Sequence, residues 1–421
     1  MKKFVALLLS LVLCLTAFAA LANEPVAKED LKIGAILVGD ETEGYTLAHM
    51  EGIRKAAANL GLDESQIIWK YKVEETAECL TAAEDLYDQG CQIIISNSYG
   101  HQDFMDQAAE EFEGEEVVFV AMTGDYAAVS GKSNLYNAFT KVFQARYLSG
   151  VVAGMKLQEL VETGVLTPEK LPNSFDAEGN VKVGYVGAFP YAEVVSGYTA
   201  FFLGIRSVFP KAVMEVQYTN SWFDISAEAA AGEALVANGC VIVGQHADST
   251  GAPSALEKLL ANGTVCCSVG YNIDMLEVAP NAALTSPTNG WDKYYTDLFT
   301  AVINGEEVPQ DWAKGFEADA VGITPLGASV APGTAEKVEE VKAALADGSL
   351  QVFDTSTFTV GGETVTTYEV DLSYRDWSQG GAVVYEGDKL EAIVDGAFAE
   401  SELRAAPYFD LRIDGITEDA N

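Results

Sequence analysis

Five short runs bring aromatic rings together with hydrogen-bonding groups: Gly44-Tyr45, Ala188-Phe189-Pro190, Asn220-Ser221-Trp222-Phe223-Asp224, Gln245-His246-Ala247-Asp248-Ser249 and Gly270-Tyr271-Asn272-Ile273-Asp274-Met275. Tyr45, Phe189 and Trp222 offer faces on which a flat ligand stacks. Asp224, His246, Asp248 and Asp274 offer groups that hydrogen-bond its edge. Tyr99, just past the apolar run Gln92–Ser96, adds a further ring. Each residue also has a plainer role open to it. Tyr45 can pack a helix start, Phe189 can face a core, and Trp222 can fill a contact between lobes. Asp224 and Asp248 suit helix N-caps, and Asp274 with Glu277 has capping-box spacing. Together these residue types suit recognition of a small polar molecule.

Motifs for covalent chemistry do not appear. Gly131-Lys132-Ser133 resembles the end of a phosphate-binding loop, but Tyr126 stands where that motif requires glycine. There is no G-x-S-x-G elbow, H-E-x-x-H pair or EF-hand loop. His49, His101 and His246 lie far apart, and 63 acidic residues are too many for one catalytic pair to stand out. No enzyme, metal or cofactor is expected. With only 25 Lys and Arg the formal charge is −38, a field that repels nucleic acid and anionic lipid surfaces.

Lys2 and Lys3 precede an apolar run from Phe4 to Phe18 and then Ala20-Leu21-Ala22, the pattern of a secretory leader over residues 1–22. The run is too short for a comfortable membrane span. A secreted, extracytoplasmic protein starting near Asn23 is expected. Leu13 stands before Cys14 where a lipidated cysteine normally follows a small residue, which leaves a lipid anchor open. The other cysteines, Cys79, Cys91, Cys240, Cys266 and Cys267, are odd in number and mostly in apolar runs, so buried thiols are expected.

The elements that must position these groups alternate. Ile33–Val38, Ile67–Val73, Gln92–Ser96 and Val117–Ala121 read as strands, and Thr46–Leu60 and Thr76–Gln89 as helices. That order calls for parallel strands with helical crossovers. Near residue 181 the pattern restarts. Lys182-Val183-Gly184 echoes Lys32-Ile33-Gly34, Gly197-Tyr198-Thr199 echoes Gly44-Tyr45-Thr46, Gly204-Ile205-Arg206 echoes Gly52-Ile53-Arg54, and Gly239-Cys240 echoes Gly90-Cys91. The expected fold is α/β, two doubly wound parallel-sheet lobes joined by a hinge, of the type I periplasmic-binding-protein, Venus-flytrap kind. The expected lobes are 23–145 with about 265–305, and 146–264 with about 306–421. Residues 162–180 read as a surface loop and 355–386 as a hairpin insertion. In such sheets the ligand crevice lies at the strands' carboxyl ends, where the five runs fall.

Those runs, with Gln144-Ala145-Arg146-Tyr147-Leu148-Ser149-Gly150, Ala153-Gly154 and Leu284-Thr285-Ser286, resemble the basic membrane protein (BMP), PnrA-like family from about Lys32 to Gly415. The resemblance implies an ABC-importer receptor, with three crossovers between lobes, closing on a purine base or nucleoside and delivering it to permease subunits. It places Tyr45 at the family's base-stacking ring and Asp274 at an acidic contact of the nucleoside-binding branch. The chain departs from that branch at Glu43-Gly44-Tyr45-Thr46, and at Thr288-Asn289-Gly290-Trp291 where a lysine is usual. Asn289 and Trp291 become candidates for the replaced contacts, and the free-base branch fits best. The alternatives are a sugar or other small polar solute on the same scaffold, a secreted nucleoside-processing enzyme, or a sensor.

Overall fold

The structure, a computed structural model, describes residues 25–376 and 381–419. The leader expected over residues 1–22, with Cys14, lies outside the described residues. The first lobe runs β1 (Ile33–Ile36), α1 (Gly44–Leu60), β2 (Ile67–Lys70), α2 (Ala77–Asp88), β3 (Ile93–Ser96), α3 (Gln102–Glu111), β4 (Val118–Met122) and β5 (Leu135–Thr140). The second runs α4 (Val142–Glu162), β6 (Val181–Gly187), α5 (Ala192–Val208), β7 (Ala212–Tyr218), α6 (Ile225–Ala237), β8 (Ile242–Gln245), α7 (Gly251–Ala261) and β9 (Cys267–Val269). Then follow β10 (Pro287–Asn289), α8 (Trp291–Asn304), β11 (Asp311–Lys314), β12 (Val321–Ile323) and α9 (Thr334–Ala346). A tail completes the chain with β13 (Glu369–Asp371), β14 (Tyr374–Asp376), β15 (Ala382–Tyr385), β16 (Lys389–Glu391), β17 (Ile393–Val394), β18 (Ala397–Phe398) and β19 (Ile416–Asp419).

The two main sheets are wholly parallel, ordered β11-β5-β4-β3-β1-β2 and β19-β7-β6-β8-β9. Helices cover both faces of each. In the first lobe α1 and α8 close one core and α2 and α3 the other. In the second, α4, α5 and α9 pack on one face and α6 and α7 on the other. Strands buried on both faces need the continuous apolar runs seen here, such as the fully buried Ile33–Ile36 and Val118–Met122.

The internal echo has a packing cause. A Cβ on Gly34 would lie 2.7 Å from Leu86 of α2, and one on Gly184 would lie 3.0 Å from Leu235 of α6. In both lobes the glycine of the first strand makes room for the helix leucine. The Gly-Tyr-Thr echo does not carry over. Tyr45 opens α1, whereas Tyr198 sits buried well inside α5 with its hydroxyl on Glu418.

The lobe boundaries differ from those expected. β9 pairs with β8 in the second sheet and β11 pairs with β5 in the first. The physical reason is the crossover unit: β8-α7-β9 is one strand–helix–strand turn, and splitting it between lobes would leave α7 without a sheet to cover. The chain therefore crosses at Lys141, around Gly290, and between Lys314 and Val321. β10 and β12 pair antiparallel there, and Thr140 donates to Asn289 at 2.5 Å. The 162–180 segment is largely exposed with a short 3-10 turn at Pro172–Ser174. The insertion forms one nested antiparallel hairpin, β14 with β15 inside β13 with β16, which runs past residue 386 to Glu391. All five described cysteines are buried and free. No described helix is long and apolar enough to cross a membrane.

Candidate functional site

A doubly wound sheet opens a crevice where two neighbouring strands send their connections to opposite faces. In the first sheet that point lies between β1 and β3, and in the second between β6 and β8. Their following loops carry Tyr45, Asn97 and Tyr99 on one side, and Phe189, His246 and Asp248 on the other. The two sets meet: a Cβ on Gly44 would sit 3.3 Å from the Asp248 carbonyl oxygen and 3.3 Å from Ile273.

On the first-lobe side Asn97 is the organiser. Its side-chain oxygen accepts from Val38 N–H at 2.8 Å, its amide donates to Thr46 Oγ1, and its carbonyl accepts from Tyr45 Oη at 2.5 Å. Tyr45 also stands edge-on to His49, ring centroids 4.6 Å apart. Its phenol is pushed well above its ordinary value, by burial first, with the Asp248 and Tyr271 side chains of the other lobe contributing.

On the second-lobe side Asp248 is buried. Asn272, whose φ of 62° turns the chain just after β9, donates its amide to Asp248 Oδ1 at 2.7 Å. No described side chain or backbone group donates to the second oxygen. Burial, then Glu43 of the facing lobe, then Glu228 and Glu193, push this carboxyl well above the usual carboxylate range, while Arg146 pulls it down. Asn289 on hinge strand β10 donates to Asn272 Oδ1 at 3.2 Å and Tyr271 Oη at 3.3 Å. One chain of amides thus runs from the hinge to the buried acid.

Beneath it lies a cation. Arg146 is 1% exposed, with its guanidinium carbon 3.6 Å from the Tyr271 ring centroid and Nη1 donating to Tyr185 Oη and the Gln245 carbonyl. His246 lies at the same level with Nε2 2.7 Å from Glu193. Burial and Arg146 hold the imidazole below its ordinary value against the pull of Glu193. One hydrogen bond thus ties Nε2 to Glu193 Oε1. Phe189, Tyr191 and Trp222 form an aromatic group at the rim, Phe189 and Trp222 edge-to-face at 5.3 Å and Trp222 6.2 Å from His246.

The other expected site residues divide. Asp224 is exposed and caps α6, accepting from Ser226 and Ala227 N–H. Asp274 is exposed and accepts from Leu276 N–H, so its carboxylate serves the local turn. Asp248 does not cap α7, whose N-cap is Thr250. Tyr99 is 39% exposed and donates to Asp125 at 3.4 Å. Trp291 is packed in the first lobe's core, stacked on His49 at 4.6 Å, because it opens α8 against α1. Its indole N–H has no described protein partner. Sequence reasoning passed over Arg146, Asn97, Tyr271, Asn272 and Glu193 as site residues. Arg146 left one signal, the sole charge in the mostly apolar stretch Val142–Gly154. Among the described residues no group of three His, Cys, Asp or Glu side chains is placed to hold a metal ion.

Two further carboxyls are strained by burial. Glu228, which accepts from Asp224 and Ser249 N–H, and Glu400, which accepts from Tyr408 and Phe409 N–H, are each pushed up to about 7 by desolvation. A carboxyl with a raised folded-state pKa binds more protons folded than unfolded between about 4.5 and 7. Stability is then greatest at the acid end of that window and falls as pH rises through it. Each group contributes a change on the order of 3 kcal/mol. Melting curves should show Tm rising from pH 7.5 to 5.5, and E228Q should flatten that slope; an unchanged slope in E228Q contradicts the assignment.

Comparison with known proteins agrees with the fold and shows the family. The family model for ABC transporter substrate-binding protein PnrA-like matches residues 37–345, ending before the Gly415 that the resemblance reached. A purine-binding protein of Brucella abortus is 30% identical over 78% of this chain and 84% of its own length. A putative ABC transporter glucose-binding protein of Haloferax volcanii is 26% identical over 75% of this chain and 72% of its own. An ABC transporter solute-binding protein from Conexibacter woesei shares the fold with a TM-score of 0.57, at 18% identity, over 76% of this chain and 98% of that one.

Proposed function

We propose, for a chain that belongs to the PnrA-like family of ABC transporter substrate-binding proteins, a receptor that closes its lobes on a purine base or nucleoside and delivers it unaltered to a permease. The observation that carries the reading is Asp248, a buried carboxyl at the meeting of both switch points with an oxygen that no described protein group uses. That oxygen keeps some solvent contact, and a ligand N–H would take the place of the water there. Tyr45, Trp222 and Phe189 supply the stacking faces. Asp248, Asn289 and His246 read the edge. The Brucella relative named for purine binding supports the ligand class. Glu43, Glu193 and Glu228 around Asp248 argue against a phosphorylated ligand, since a second negative charge would enter an acidic, poorly solvated site.

Export follows from the leader: the mature chain is secreted, begins near Asn23, binds no nucleic acid and does not itself insert in the membrane. N-terminal sequencing of the exported protein tests the cleavage point. The Haloferax relative named for glucose favours a second reading, a sugar in the same cleft, and sugars also stack on aromatic faces. Calorimetry on the mature protein against adenine, guanine, hypoxanthine, their nucleosides and glucose separates the two; no saturable purine binding discards the first. Incubation with inosine or adenosine should yield no product, and turnover would make the protein an enzyme.

Tyr45→Ala should weaken purine binding about tenfold or more through loss of a base stack. Tyr45→Phe keeps the ring and loses only the bond to Asn97, so it should fall between. Equal affinity in Tyr45→Ala and the parent excludes the stacking role.

A further inference from the structure

The tail after α9 lies beyond the family match at residue 345, yet it touches both lobes. Its anchor is apolar and belongs to the second lobe: Phe353, Phe358, Phe398 and Phe409 are buried in that core, Phe353 and Phe409 stacked at 4.3 Å. β19 then adds an edge strand beside β7. From this anchor the hairpin β14–β15 reaches the first lobe. Tyr374 stacks on Tyr126 with ring centroids 3.9 Å apart, and Tyr385 lies over the same ring at 5.2 Å. The Tyr374 hydroxyl donates to Asp103 of α3, and Lys132 joins Asp106 at 2.5 Å to Tyr385 Oη at 3.1 Å.

A second set of contacts lies nearer the cleft. Arg404 pairs with Asp125 at 3.5 Å, just past β4. Ala405 N–H donates to Asp311 of β11 at 2.8 Å, and Lys141 in the first crossover binds Glu402 at 2.5 Å. The tail is thus fixed to one lobe by its core and clasped to the other by rings and ion pairs. A hinge rotation that separates the lobes must peel this clasp.

We propose that residues 351–376 and 381–413 form a strap across the hinge that limits how far the lobes open, with Tyr374, Tyr385 and Arg404 as its release points. The strap biases the receptor toward the closed arrangement before any ligand arrives, so that ligand binding has less of the closing equilibrium to supply. This inference concerns the hinge and stands whether the ligand is a purine or a sugar.

The test uses the mature protein without ligand. In Y374A/Y385A, small-angle scattering should show a larger radius of gyration than the parent, with native circular dichroism. Amide exchange across residues 403–406, where Ala405 is held by Asp311, should quicken about tenfold for the loss of a ring stack. R404Q should shift both readouts in the same direction by less. Unchanged scattering and exchange in a folded double variant overturn the strap. Loss of native circular dichroism overturns it too, since the contact would then be part of the first lobe's fold and not a release point.

Discussion

Asp248→Ala is expected to weaken purine binding by about ten- to a hundredfold, the loss of a hydrogen bond to a charged or strongly polar partner at roughly 1.5–3 kcal/mol. The carboxyl is buried, keeps one oxygen for Asn272, and belongs to a loop whose backbone meets Gly44 of the facing lobe. Asp248→Asn retains an acceptor and the Asn272 contact, so it should lose less and shift preference among bases with different edge donors. The same substitution carries an opposite expectation for the empty protein. A carboxyl pushed up by burial costs stability whenever the solution pH would ionise it in the unfolded chain. Removing that titrating group in Asp248→Asn should therefore raise the ligand-free Tm at pH 7, a binding group held at the expense of stability. Titration calorimetry and melting curves read the two effects separately. Parent-like affinity in Asp248→Ala would refute the assigned role.

Gly204→Ala should cost about 3 kcal/mol, lowering Tm by about 6–12 °C, and Gly204→Leu should prevent the second lobe from folding. α4 and α5 cross with their backbones nearly touching. A Cβ on Gly204 would lie 2.0 Å from the Tyr147 carbonyl oxygen, and one on Gly150 would lie 2.0 Å from that of Phe201. Neither obstacle is a side-chain end that can swing aside, so the helices must part. Arg146 sits next to Tyr147 on α4, and parting them would draw its guanidinium from the Tyr271 ring. Binding should fall along with Tm. A Gly204→Ala protein with unaltered melting would show that the crossing is looser than described.

Most of the first lobe was legible because its signals are local. β1, α1, β2, α2, β3 and β4 all lie within a few residues of where β-branched runs and amphipathic stretches put them. The hairpin expected over 355–386 was placed only coarsely, since its paired strands run from Glu369 to Glu391. The lobe exchange points were not, because whether β9 or β11 joins one sheet or the other depends on which partner strand has a free edge. The site divided likewise. Tyr45, Phe189, His246 and Asp248 follow the strands at the two switch points and are proposed to face the ligand, whereas Asp224 and Asp274 spend their carboxylates on local turns and Trp291 enters a core.

What the residues alone determined is the menu: parallel strands with helical crossovers, two copies of the plan, stacking rings and acids at strand ends. Those follow from side-chain shape and periodicity over ten or twenty neighbours. Only the tertiary structure decided which groups meet, since Tyr45 and Asp248 are some two hundred positions apart and come together through a hinge. It also decided what surrounds each carboxyl, because the same side chain caps a helix in water at Asp224 and at Asp248 is largely buried against the Asn272 amide.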